Sequence, residues 1–531
     1  LYSLFCAFKK NKNSFLTNVQ KESIFSLLNG CVYAQIMEFS MLFDKSFIKG
    51  ALAHAEILGD CVIHDIRVSV DTRTLQPGDF FVALKGAQVN GHQFVEAALE
   101  KGAAGCMIER ASIGVLKKIS EAQLAQKLIV IVEDSLQALG DLAKSWRAQF
   151  SYPVVGITGS VGKTSTKQML LTILDDAGIN YIATVGNQNS LIGLPISIFS
   201  MRHHHQMAVF ELGISKRGEM KRLADIAQPT LACVTAVGHS HVEGLGSLQD
   251  IAAEKRDIFS CFTESNVGVV HGDQPLLGSV GYVHPVVKFG AKTTNQIQAR
   301  KIRMGNDYVD FVLKLYQKKY TVRLPIAHEG MVFNALAAAS CACLLGLSDA
   351  TIVRALSHAQ LTSARFQQLP IIHGKGIIIN DSYNANPESM KAAIAGLENI
   401  KIQATKIAVL GDMLELGIEA ESWHRQIGRF LRKAPSIKEV VLIGKHVVYA
   451  EELLPHGVKS VRFEKAEQAV AYMQQRIATE ECAVLVKGSR GMHLEVIVHA
   501  LAAEQGFSAA VRIAEPTVAS ITPAKRPAKT V

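Results

Sequence analysis

No apolar run in this chain approaches the roughly 20 residues that a membrane-spanning helix needs. The longest, Ala335 to Leu347, is short and alanine-rich and reads as a buried helix. Cysteine is scarce and has no paired spacing: there are nine, and Cys341 and Cys343, two apart, fit neither a C-x-x-C redox pair nor a zinc site. That argues against a disulfide framework and for a reducing, cytoplasmic compartment. Proline is sparse, at 14 against 40 glycines, and no segment recurs at a fixed period, which argues against a solenoid. A clustered basic face is also missing. The formal charge is +9, but residues 1–36 and 507–531 carry +3 each, which leaves +3 for the 470 residues between. A nucleic-acid surface gathers its charge on a folded domain, so no nucleic-acid partner is expected. No stable membrane insertion is expected either, and a monomer is the expected state.

What is present is a long globular chain, with 48% hydrophobic and 19% charged residues over 531 positions, enough for two to four domains. Residues 1–36 have no clean periodicity. They lack the basic start, the continuous apolar core and the small-residue cleavage site of a signal peptide. We expect initiation at Met37 or Met41, with 1–40 a non-native or disordered extension. From 41 to 150, short apolar strands (Phe80 to Leu84, Leu128 to Val132) alternate with helices such as Phe94 to Lys101. After Tyr152-Pro153 a βα rhythm begins with the strand Val154 to Thr158 and a helix from Lys163. It runs to about residue 360 and predicts a mostly parallel sheet. A third α/β unit, 361–506, has strands near Gly376 to Asn380, Ile407 to Leu410, Val440 to Ile443 and Ala483 to Val486. The Ala-, Pro-, Thr- and Lys-rich tail, 507–531, is expected to be disordered.

The strongest local signal is Val154-Val-Gly-Ile-Thr-Gly-Ser-Val-Gly-Lys-Thr-Ser165. An apolar strand enters a glycine turn whose N–H groups can converge on phosphate oxygens, and the next helix adds its positive end. The spacing departs from G-x-x-x-x-G-K-[ST], because Ile157 stands at the first glycine position. The ATP-binding loop is therefore read as Thr158, Gly159, Ser160, Val161, Gly162, Lys163, Thr164 and Ser165. Lys163 would reach the outer phosphates and the Thr164 hydroxyl would ligate Mg²⁺. Glu211, ending the apolar run from Met207, and His241, after the run Leu231 to Val237, follow consecutive strands at the edge where parallel sheets gather ligands. A carboxylate and an imidazole can both enter the shell of a divalent ion. The triplet His203 to His205 has no partner ligands nearby in sequence and is read as a solvated loop.

Longer segments carry a resemblance. Asn380-Asp-Ser-Tyr-Asn-Ala-Asn-Pro-Glu-Ser-Met390, Leu410-Gly-Asp-Met-Leu-Glu-Leu-Gly417 followed by His424, and Val486-Lys-Gly-Ser-Arg-Gly491 stand in the third unit. Ser69-Val-Asp-Thr-Arg73, Pro77 to Gly86 and Gly91-His92 stand in the first. With the loop, these resemble the Mur ligase family of peptidoglycan precursor synthesis over about residues 41 to 500. The resemblance implies an α/β fold of three domains: an N-terminal UDP-substrate-binding domain, a central ATP-binding domain with a P-loop ATPase-type parallel sheet, and a Rossmann-like C-terminal ligase domain. The Asp381 to Pro387 and Gly411 to Gly417 segments favour the branch that adds D-alanyl-D-alanine to UDP-N-acetylmuramoyl-tripeptide. In that reaction ATP turns a carboxylate into an acyl phosphate, which the amine then attacks.

By the same resemblance, Ser69, Asp71, Thr72, Arg73 and Gly86 would hold the UDP substrate. Asn334, Arg365 and Asp381 would join the ATP site, Arg365 on the phosphates and Asp381 on the ribose. Lys255, on a helix after His241, matches a carbamylated lysine whose anionic oxygen would join Thr164, Glu211 and His241 around Mg²⁺. Lys163, Lys255, His241 and Glu211 would form the catalytic set. The chain departs from the family in placing Gly330-Met331 at a His-Asn pair, with His328 displaced, and Arg256-Asp257 where Gly-Glu is common. Family members that add a single amino acid, or a folylpolyglutamate synthase, would share the loop and Mg²⁺ residues. A P-loop ATPase acting as a binding module would need neither the first nor the third unit.

Overall fold

A computed structural model describes residues 41–86, 88–360, 364–372 and 374–502. The expectations for 1–40 and for the tail after 506 lie outside them. Three large sheets follow one another along the described residues. The first has five strands in the order Glu56–Leu58, Leu128–Val132, Gly105–Glu109, Phe80–Val82, Val68–Ser69, with only Glu56–Leu58 antiparallel to its neighbour. Beside it, Leu42–Phe43 pairs with Ile63–His64.

The central sheet has nine strands, and its order explains where a ligand can sit. Val154–Thr158 lies between Met207–Glu211 and Leu231–Val234, all parallel. The chain leaves this strand for Tyr181–Ala183 at one edge, returns through Met207–Glu211, then crosses to Leu231–Val234 on the other side. That reversal opens a crevice at the carboxyl ends of these strands. Val267–His271, Val286–Gly290 and Ile297–Met304 continue the parallel set. Then Val309–Leu315 and Lys318–Leu324 pair antiparallel to finish the sheet. The parallel expectation holds for the strands that carry the loop. The hairpin after residue 297 breaks the βα rhythm, because Val309–Leu315 buries every second residue over a solvated face.

The helix Gly330–Leu344 is buried as its composition predicts. Ala335, Ala337, Ala338, Ala339 and Ala342 are inaccessible to solvent, and such small side chains let it pack closely beside the helix Lys163–Asp176. The third sheet runs Gln367–Pro370, Gly376–Asn380, Cys482–Lys487, Thr405–Gly411, Ile437–Ile443, Lys459–Phe463, parallel except at its first pair.

The first and central sheets share one core through the helix Ser135–Arg147. Its Trp146 is fully buried between Phe47 and Phe199. Arg147 is buried too, and donates to the carbonyls of Phe150, Ala227 and Gln228 at 2.6 to 3.1 Å. A buried guanidinium needs such partners to offset its lost hydration. The seven described cysteines are free thiols. No described helix is long and apolar enough to cross a membrane.

Candidate active site

The loop after Val154–Thr158 has a shape that only glycine permits at two points. Gly162 has φ +86°, and a Cβ there would overlap the Asn334 side-chain oxygen. Gly159 has φ +154°, and a Cβ there would overlap the Thr235 hydroxyl. Neither conformation suits an L side chain. The neighbouring strand pins the loop from below. Ser160 N donates to Ala236 O at 2.7 Å, and the Thr235 hydroxyl lies 2.6 Å from Val161 O. Ser160 Oγ donates to Gly238 O at 2.8 Å. The Thr158 hydroxyl, fully buried at the strand end, has no partner among the described residues. Ser165 is buried in the first helical turn.

Lys163 begins the helix and donates to Gly159 O at 2.8 Å. Burial pushes its ammonium pKa down, Glu211 opposes that shift, and Arg365 adds to it. Thr164 Oγ1 donates to Glu211 Oε2 at 3.0 Å, so two predicted metal ligands from different elements meet. Asn189 Nδ2 donates to the other Glu211 oxygen at 2.8 Å and fixes the carboxylate plane. Arg365, from the third unit, places Nη2 3.2 Å from Thr164 Oγ1 and lies over the Tyr383 ring at 4.1 Å. The cation predicted for the phosphates therefore stands at the loop.

Lys255 is 1% exposed on the helix Leu248–Arg256. Burial drives its pKa well down, the nearby positive Lys163 drives it further, and Glu254 opposes both. His241 takes a different partner from the one expected. Its Nδ1 hydrogen-bonds to Glu415 from the third unit, and Glu243 N donates to Glu415 O at 3.2 Å. His241 and Glu415 both have positive φ, 55° and 61°. Strain of this kind costs on the order of 1–3 kcal/mol per residue and persists where the surroundings enforce it. Two residues earlier, His239 Nδ1 meets Glu388 Oε1 at 2.7 Å. The four proposed metal residues are thus not gathered around one point: Thr164 and Glu211 touch, Lys255 lies beside Lys163, and His241 faces Glu415. Among the described residues no group of three or more His, Cys, Asp or Glu forms a cage.

Asn334 abuts Gly162, which puts it at the phosphate loop. Asp381 accepts from Phe366 N at 3.2 Å and pairs with the buried Lys487 at 2.7 Å. His328, displaced from the family's pair, has its ring against the ring of Phe366 and in the space where a side chain at Gly330 would stand. Arg256 donates to Leu276 O at 2.7 Å, a local structural contact.

In the first unit, Ser69 ends a strand and its hydroxyl donates to Asp71 O at 3.0 Å. Asp71 holds the Arg73 guanidinium, which keeps its carboxyl below the usual carboxylate range. Thr72 O accepts from Lys101 Nζ at 2.8 Å. Gly86, in a tight turn closed by its N–H on Val89 O, follows the neighbouring parallel strand and so shares the carboxyl edge with Ser69. His92 has a structural role: its Nδ1 meets Asn90 and its Nε2 accepts from Glu109 N at 2.9 Å. His424 is also structural, with Nε2 accepting from Met413 N at 3.0 Å beneath the loop that carries Glu415. The segment His203 to His205 is the solvated loop expected of it. His203 and His204 are exposed, but His205 accepts from Arg202 N at 3.1 Å, and burial brings its pKa down to about 4.

Between the loop and the third unit lies a cleft of about 180 Å³. Ser160, Lys163 and His241 line one side, and Asn384, Glu415 and Arg490 line the other. The sequence alone assigns no role to Glu415, Glu388, Asn189, Tyr383 or Arg490. All but Asn189 lie inside or beside the quoted third-unit segments, yet the sequence does not say which residue of a segment faces the cleft.

Three family models match the chain in succession: "Mur ligase family, catalytic domain" over 66–147, "Mur ligase middle domain" over 157–342, and "Mur ligase, glutamate ligase domain" over 364–490. The UDP-N-acetylmuramoyl-tripeptide–D-alanyl-D-alanine ligase of Bacillus subtilis is 35% identical over 457 residues, 85% of this chain and 95% of that protein. The ligase of the same name from Escherichia coli is 32% identical, covering 86% of this chain and 96% of that one. Among solved structures, MurF from Acinetobacter baumannii aligns with TM-score 0.76 at 28% identity, covering 86% of this chain and 98% of that one. MurF from Thermotoga maritima in complex with ADP aligns with TM-score 0.70 at 27% identity, covering 82% and 97%.

Proposed function

This chain belongs to the Mur ligase family, and we propose that the cleft between its central and third sheets is where ATP, a peptide carboxylate and an amine meet. The enzyme is an ATP-dependent ligase that joins D-alanyl-D-alanine to UDP-N-acetylmuramoyl-tripeptide, giving UDP-N-acetylmuramoyl-pentapeptide. The observation that carries the assignment of the cleft is Arg365 reaching Thr164 at 3.2 Å from another domain. Phosphoryl transfer asks the protein for positioning and charge neutralisation more than for covalent help.

The roles divide among these residues. Loop residues 158 to 165 hold the phosphates, and Lys163 and Arg365 balance their charge. The Thr164 hydroxyl and the Glu211 carboxylate are hard oxygen donors 3.0 Å apart, a fit for Mg²⁺. His241 would add Nε2, since Nδ1 is engaged by Glu415, and Lys255 would add an anionic oxygen as its carbamate. Bound there, Mg²⁺ would neutralise charge on the transferring phosphoryl group. Asn334 and Asp381 complete the nucleotide site, the first at Gly162 and the second toward the ribose. Ser69, Asp71, Thr72, Arg73 and Gly86 hold the UDP substrate at the edge of the first sheet. Because the third domain supplies Arg365, closing the cleft would assemble the site and exclude water from the acyl phosphate. We propose that the enzyme acts as a monomer in the cytoplasm.

Phosphate release with UDP-N-acetylmuramoyl-tripeptide, comparing D-alanyl-D-alanine with single amino acids and with product masses read in parallel, tests the amine. D-alanyl-D-alanine should turn over fastest and give the pentapeptide. Equal or faster turnover with a single amino acid, and no pentapeptide mass, would refute it.

A further inference from the structure

Two helices of the third domain close on the backbone that supports the phosphate loop, and they meet at one side chain. We propose that His239 is a positioning residue: its clasp with Glu388 seats the third domain on the loop and so places Arg365. The proposal rests on the reading of the cleft given above and names what holds that cleft together.

On the central side, His239 follows directly on the loop's support. Gly238 O accepts from Ser160 Oγ at 2.8 Å, so the loop is tied to the residue next to His239. On the other side, Glu388 takes His239 at two points. Its Oε2 accepts from His239 N at 3.0 Å, and its Oε1 lies 2.7 Å from His239 Nδ1. A Cβ at Gly238 would stand 2.7 Å from the same carboxylate, so a larger residue there would push Glu388 off His239. The imidazole also packs against Trp423 of the helix Ala420–Leu431, with ring centres 4.2 Å apart.

Glu388 and Arg365 are joined by one short, well-tied segment. Tyr383 carries the Arg365 guanidinium over its ring at 4.1 Å, and its N–H donates to Ala364 O at 3.4 Å. Lys487 Nζ then holds Asn384 O at 2.9 Å. Asn386 caps the helix Pro387–Asn399: its side chain accepts from Ser389 N at 2.9 Å, and Ser389 Oγ accepts from Asn386 N at 3.0 Å. Pro387 fixes φ at the first helical position. A segment tied at each of these steps passes a displacement on instead of absorbing it. Releasing Glu388 from His239 therefore moves Tyr383, and Arg365 with it, away from Thr164. A carboxylate in the first helical turn also stabilises the helix itself. Gly238→Ala breaks the clasp from the opposite side and leaves that helix as it is.

Glu388→Ala and Gly238→Ala should each lower kcat for pentapeptide formation about tenfold, the scale of a lost hydrogen bond to a charged group. Rates are taken per site that binds UDP-N-acetylmuramoyl-tripeptide in calorimetry, so an unfolded fraction does not count as lost turnover. KM for that substrate should stay within about twofold, since its assigned residues lie on the first sheet. Glu388→Gln keeps an acceptor for His239 N and should recover most of the rate. With Arg365 already removed, the clasp has nothing left to place. Adding Glu388→Ala, or Gly238→Ala, to Arg365→Ala should then cost less than about twofold in kcat, a non-additive cycle. A further tenfold loss in those double variants would overturn the proposal. So would wild-type kcat in Gly238→Ala, which would leave Glu388 as a helix-stabilising residue only. Wild-type kcat in Arg365→Ala would instead refute the reading of the cleft, and the proposal would fall with it.

Discussion

Lys163→Ala should lower kcat by about 10²-fold or more while leaving UDP-N-acetylmuramoyl-tripeptide bound. Losing the cation on the transferring phosphates removes several kcal/mol of transition-state stabilisation, and each ~1.4 kcal/mol is tenfold in rate. Lys163 is well placed for that role. Its ammonium donates to Gly159 O within the loop, and Glu211 opposes the effect of burial on its charge. The residues assigned to the UDP substrate lie on the first sheet, so binding of that substrate should survive. Single-turnover phosphate release alongside calorimetric binding of the UDP substrate separates the two effects. Near-normal turnover would refute the role given to Lys163, and loss of both would mean the variant has damaged the fold.

A still larger effect is expected at Lys255. A neutral amine must attack CO2, and an ordinary lysine, with a pKa of about 10.4, offers little neutral amine at pH 7. Here burial and the Lys163 charge both lower the pKa, so the neutral form gains at neutral pH. The product is an anion, which the same Lys163 and a bound divalent cation would stabilise. Activity should therefore fall in CO2-depleted buffer and return with bicarbonate. Lys255→Ala should be nearly inactive and partly rescued by short-chain carboxylates. Lys255→Arg should be inactive, because its charge has the wrong sign and it cannot be carbamylated. Full activity in Lys255→Arg would mean that no anion is needed at this position.

Much of this was legible because it is local. Val154–Thr158 was readable end to end, since a buried parallel strand is a continuous apolar run and the glycine turn that follows has its own chemistry. Leu128–Val132 and Gly376–Asn380 were readable for the same reason. The strands of the antiparallel hairpin after Ile297 are half exposed and charged, so they passed as part of the βα rhythm. Long-range pairs left no local trace. His241 and Glu415 stand 174 residues apart, and Thr164 and Arg365 stand 201 apart. The position of Arg365 came from the family resemblance, whereas the Glu415 contact needed coordinates. The quoted third-domain segments mix two kinds of residue. Asp412 caps the Lys445, His446 and Val447 amides, and His424 props a loop, while Asn384, Glu415 and Arg490 face the cleft.

The central claim is that the chain makes an acyl phosphate, and the path of one oxygen tests it most directly. In that reaction the carboxylate oxygen attacks the γ-phosphorus and the bond to ADP breaks. The amine then attacks the acyl carbon, and the carbon–oxygen bond breaks with phosphate as the leaving group. A tripeptide substrate carrying ¹⁸O in both oxygens of the reacting carboxylate should therefore deliver one ¹⁸O to inorganic phosphate and keep the other in the new peptide carbonyl, as read by mass spectrometry. Unlabelled phosphate, or label appearing in AMP, would contradict the account.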